Sequence, residues 1–72
     1  MNIFDRNLEL INQYINELIS SNVIIIDSKA QDSLALKIAV GFTNVYESDI
    51  FRDDYLYLLK SYSYKQLKML YK

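Results

Sequence analysis

Apolar residues recur at steps of four and three through the first twenty positions: Phe4, Leu8, Ile11, Ile15 and Leu18, with Asp5, Glu9, Asn12, Asn16 and Glu17 falling between them. That spacing predicts an amphipathic helix over residues 3–19. Asn2 is placed to cap it, and Asp5 puts negative charge in the first turn, where the helix dipole favours it. Ile3, Leu10, Tyr14 and Ile19 widen the apolar stripe beyond a strict heptad seam, which suits packing into a globular bundle.

The following run, SSNVIIIDSKAQDS, reads two ways: Val23 and Ile26 continue the helical spacing, yet VIII is also a β-branched strand core. It is taken here as a helix end followed by a buried connection. Ser28 with Gln31 fits a capping box, opening a second helix that runs towards Tyr46. Ala30, Leu34, Ile38, Phe42 and Val45 would line its inner face, making it the central, most buried helix. Ser48 and Asp49 look like the start of a third helix bearing Phe51, Tyr55, Leu58, Leu59 and Tyr62 on its apolar side. Ser63 with Gln66 repeats the cap signature and predicts a short fourth helix. In that helix Tyr64, Leu67, Leu70 and Tyr71 would face inward, with Lys65, Lys68 and Lys72 outside. The expected fold is thus an all-α, compact bundle of about four helices in one small domain spanning residues 1–72. The alternative is an α+β fold with a hairpin formed by residues 22–27 and 34–42, because Leu34, Leu36, Ile38, Val40 and Phe42 also alternate as in a strand. Alanines between them and the lack of a turn signal in SKAQDS favour the helix.

Composition narrows the stabilising devices. A 72-residue chain without Cys or His has neither disulfides nor structural zinc, so helix packing or a partner surface must supply its stability. With 51% apolar residues it should fold, and it should leave an apolar patch exposed for a homodimer or another protein. No uninterrupted apolar run of about 18 residues occurs, and the N-terminal residues do not read as a signal peptide, so a cytoplasmic protein with no membrane partner is expected. The abundance of Ile, Asn, Lys and Tyr, residues with AT-rich codons, points by composition alone to a low-GC bacterium or to a phage or mobile element living in one.

Charge is split along the chain. Residues 1–54 carry nine acids against four bases, whereas residues 55–72 hold four lysines, five of the seven tyrosines and no acid. A charged partner is implied. Candidate contacts are Tyr57, Lys60, Tyr64, Lys65, Lys68, Tyr71 and Lys72 on the basic side and Asp49, Asp53 and Asp54 on the acidic side, since Tyr is enriched at interface hot spots and isolated acids await basic groups. The acidic group, with Glu47, has the chemistry to hold Mg²⁺ but not the spacing of a known ligand loop; a solvated face is the plainer reading. Without His, Cys or a glycine-rich loop, catalysis is not expected, and no cofactor is implied.

The sequence therefore supports a non-catalytic protein–protein interaction module that modulates or inhibits a larger target. A dimeric DNA-binding or antitoxin-type regulator, using Lys65, Lys68 and Lys72 on phosphates, is the alternative; nucleic acid is disfavoured by the acidic first three-quarters and by the absence of arginine in the tail. A helix-turn-helix over residues 31–50 fits poorly, because Ser48 falls where an apolar residue is needed. A third possibility is a structural subunit of a larger assembly.

Overall fold

The computed structural model describes residues 2–70. Three α-helices account for most of them: α1 (Ile3–Ser20), α2 (Ser28–Tyr46) and α3 (Tyr55–Leu70), with a 3₁₀ turn at Glu47–Asp49. They run up, down and up, as short connections between packed helices require. The nine buried apolar residues come from all three helices, with Ile11 and Ile15 from α1, Ala35, Ile38, Ala39 and Phe42 from α2, and Tyr55, Leu59 and Leu67 from α3.

The first helix forms as its periodicity demands, and the Asn2 side chain accepts from the Asp5 amide at 2.8 Å. Its end has a definite chemistry. Asn22 adopts φ 60°, while its amide bonds the Ile19 carbonyl at 3.0 Å and the Val23 amide bonds the Leu18 carbonyl at 2.9 Å. Those two bonds with a left-handed residue constitute a Schellman cap, in which Asn stands where Gly is commoner.

The hairpin alternative is corrected: among the described residues there is no strand, and residues 34–42 lie inside α2. Burial follows the helical period, since Ala35, Ile38, Ala39 and Phe42 are buried whereas Leu36 and Val40, equivalent to Ile38 in the strand pattern, are exposed. The cap of α2 also shifts by one residue, to Asp27. Gln31 does not complete a capping box, because its amide donates instead to Asn16 Oδ1 of α1 at 2.8 Å.

Among the described residues there are three α-helices and not four. Ser63 starts nothing: it is buried within α3, and its hydroxyl donates to the Leu59 carbonyl one turn back at 2.7 Å. The hydroxyl is turned back on the preceding turn of a continuing helix and not forward onto free amides, and no Gly or Pro interrupts the helix. The expected third helix starts later as well. Between Tyr46 and Tyr55 the chain makes the 3₁₀ turn and a further turn closed by Arg52 amide to Asp49 carbonyl, 3.0 Å, and Tyr55 amide to Arg52 carbonyl, 3.1 Å. The Asp54 carboxylate is forked by Arg52 at 2.9 and 2.8 Å. This local pairing holds the segment as a turn up to the first residue of α3.

Aromatic packing closes the lower half. The Phe42 ring is fully buried against Tyr46, Tyr55 and Tyr62, at centroid distances of 4.8, 5.4 and 5.6 Å. The Tyr62 hydroxyl rests directly over the Cα of Gly41, in the space a Cβ would need. The missing side chain at Gly41 thus makes room for the Tyr62 hydroxyl of α3, which explains a glycine inside a helix that it would otherwise weaken.

Candidate functional site

The site is built by the connection between α1 and α2. After the Schellman cap, residues 23–26 belong to no helix, and burial alternates along them. Ile24 and Ile26 turn in against the core, while Val23 is 51% and Ile25 82% exposed. The expectation that VIII forms a buried connection is thus half corrected. Alternation, not helical spacing, governs which of its residues are hidden.

Facing this segment is the last third of α3. Asn22, Val23, Ile24, Ile25 and Ile26 on one side and Tyr64, Leu67 and Lys68 on the other enclose an open groove of about 450 Å³. Its floor is the buried Leu67, and its walls are mostly apolar, with Asn22, Tyr64 and Lys68 supplying the polar groups. The Lys68 ammonium lies 5.5 Å from the Tyr64 ring centroid, a cation–π placement that holds both at the rim. Beyond Tyr64, Lys60 sits 5.7 Å from the Tyr14 ring and 3.7 Å from Glu17. The Tyr14 phenol is pushed above its ordinary pKa by burial first, and then by the neighbouring Tyr64 and Glu17. It stays a neutral hydroxyl at physiological pH.

The sequence-derived candidates fall into two groups. Tyr64 and Lys68 meet at the groove, with Lys65 exposed on the same stretch of helix and Lys60 engaged by Glu17. Tyr57 is exposed on α3 away from the residues lining the groove. Tyr64 does not face inward as expected, nor does Leu70; both are exposed. Tyr71 and Lys72 lie outside the described residues.

Asp49, Asp53 and Asp54 belong to the opposite end of the bundle, in the turns between α2 and α3. Asp49 and Asp53 do not share a helix, because the helix expected to carry both begins only at Tyr55; Asp54 is taken up by Arg52. That pairing raises the Arg52 pKa further, chiefly through the hydrogen bond. Among the described residues no three His, Cys, Asp or Glu side chains gather as a metal-holding group. No described helix is long and apolar enough to cross a membrane. Over the span tested for a helix-turn-helix, α2 runs unbroken to Tyr46, so the tight turn is absent there.

Sequence reasoning missed the groove's other wall and also Phe51. That ring was expected on a buried helix face, but it stands 92% exposed in the turn before α3. The overlooked signal was β-branched residues following SSN, where the polar triplet ends a helix and leaves the apolar run without a partner strand.

No family model, curated protein or solved structure matches this chain.

Proposed function

We propose that this chain is a small, non-catalytic protein-interaction module, of the kind that phages and mobile elements encode to modulate or inhibit a larger cytoplasmic protein. The groove between residues 22–26 and α3 carries the reading. A small bundle that leaves Ile25 and Val23 exposed beside a tyrosine and a lysine presents an apolar surface with a polar rim, the anatomy of an interface core. Residue inventory supports the non-catalytic part, since neither His nor Cys is available for acid–base or nucleophilic work.

The test is capture by the immobilised chain from a low-GC bacterial lysate. One protein retained at stoichiometric yield, lost with Ile25→Ser or Tyr64→Ala and kept with Leu36→Ser on α2, is the expected result. Capture that ignores both groove substitutions overturns the site, and no stoichiometric capture counts against the module. A mass shift with double-stranded DNA that salt abolishes would instead support the regulator reading through Lys65 and Lys68.

A further inference from the structure

The two ends of this bundle complement each other. At the end where α2 gives way to α3, Phe51 projects into solvent from a turn whose neighbours Glu47, Asp49 and Asp53 are acidic. Its presentation is fixed: Ile50 packs against the core on one side, and the Arg52–Asp49, Tyr55–Arg52 and Arg52–Asp54 hydrogen bonds close the turn on the other. At the far end, beside the C-terminus of α1, the apolar groove lies open with Lys68 on its wall and Lys65 one turn earlier.

We infer that Phe51 of one copy docks into the groove of a second copy, so that the chain associates head to tail. The occupant follows from shape and charge together. An exposed aromatic ring in a turn carrying Glu47, Asp49 and Asp53, with the adjacent Arg52 engaged by Asp54, suits an apolar groove beside Lys65 and Lys68, and the ring's turn is closed by hydrogen bonds before the two meet, which lowers the ordering cost of association. Knob and groove sit at opposite ends of one antiparallel bundle, so a chain cannot fill its own groove and must fill its neighbour's. Such a contact is heterologous, leaving a free knob and a free groove after every addition.

A rival self-contact exists. Among the described residues the amides of Ile24, Ile25 and Ile26 take no part in the main-chain hydrogen bonds of the connection, so two copies would be able to pair these segments symmetrically as strands. Symmetric pairing brings the two grooves together and sets Lys68 near its own copy, a like-charge approach that the head-to-tail contact replaces with attraction. This inference concerns the chain alone and needs no target protein, so its failure leaves the module reading standing.

Light scattering of the full chain across micromolar to near-millimolar concentration, at low and high salt, tests it. The mass should climb above the monomer's 8.5 kDa with concentration and fall back as salt screens the charged rims. Phe51→Ser should stay monomeric, as should the doubly changed Ile25→Ser/Lys68→Glu chain. An equimolar mixture of those two variants should restore a species of twice the monomer mass and nothing larger, because one supplies the groove and the other the knob. Far-UV circular dichroism checks each fold, and Lys68→Glu alone replaces the double variant if its spectrum changes. A monomer at every concentration overturns the inference. So does assembly that survives Phe51→Ser, which would mark the symmetric strand contact, and so does a mixture that stays monomeric.

Discussion

Asn7 is fully buried, and replacing it with alanine should cost this bundle much of its stability. Its Nδ2 donates to Thr43 Oγ1 of α2 at 2.9 Å, and its Oδ1 accepts the Tyr55 hydroxyl of α3 at 2.5 Å. One amide thus joins all three helices. Asn7→Ala removes both bonds, leaves two nearly buried hydroxyls unpaired at about 1–3 kcal/mol each, and opens a gap; a net loss of about 3–4 kcal/mol is expected, allowing for some water reaching Thr43. A chain of this length has on the order of 4–10 kcal/mol in total. Urea unfolding followed by circular dichroism should show the midpoint lowered by about 2 M at an unchanged slope. The sharper test is the triple variant Asn7→Leu/Thr43→Val/Tyr55→Phe, which makes all three members apolar. It should be more stable than Asn7→Leu alone, because no orphaned group remains. A loss below about 1 kcal/mol for Asn7→Ala, or a triple variant as unstable as the sum of its parts, would refute the reasoning.

Other positions carry separable expectations. Gly41→Ala gains about 1 kcal/mol of helix propensity but drives a methyl into the Tyr62 hydroxyl, a strain of about 1–3 kcal/mol. Thermal unfolding should therefore show Gly41→Ala neutral to destabilised, and Gly41→Ala/Tyr62→Phe more stable than Tyr62→Phe alone. Asn22→Ala should lose about 1 kcal/mol from the left-handed cap while Asn22→Gly loses nothing, read as urea midpoints. Burial raises the Tyr55 phenol above its ordinary value, outweighing the Arg6 charge that lowers it, and the phenol proton is the one donated to Asn7 Oδ1. The folded state then holds that proton more tightly than the unfolded one, so the stability it contributes is complete below about pH 10 and disappears as pH rises through the higher folded value. Stability measured from neutral pH upward should fall in that alkaline window, and Tyr55→Phe should flatten the part due to this group.

Helical character was legible because it rests on local spacing. The stripe Phe4, Leu8, Ile11, Ile15, Leu18 produced α1 nearly to the residue, and the Ala35, Ile38, Ala39 and Phe42 set decided α2 over the strand pattern once burial was known. What could not be read were choices made by residues distant in the chain. Ser63 has the look of a cap and becomes a satisfied interior residue, because the same hydroxyl bonds equally well back to Leu59. Gln31 serves Asn16 and not its own helix start. Asn7 falls one turn before Ile11 on the buried face of α1, but a polar residue there announces no core role when its hydrogen-bond partners lie 36 and 48 residues away.

The candidate site was half visible for the same reason. Tyr64 and Lys68 could be picked out by composition, since the charge split along the chain needs no fold to be seen. Their apolar counterpart could not, because Ile24, Ile25 and Ile26 are chemically identical and only the course of the chain after the left-handed Asn22 packs the first and third against the core and leaves the second exposed. Stability and function divide along that alternation. Ile24 and Ile26 pack on the core, whereas Ile25, 82% exposed, adds little to the monomer that a serine would not. The same holds for Phe51, 92% exposed at the other end. Two large apolar side chains that the fold leaves exposed at opposite ends, Phe51 in a turn closed by hydrogen bonds and Ile25 beside the groove, are the surfaces that the association proposed above would bury.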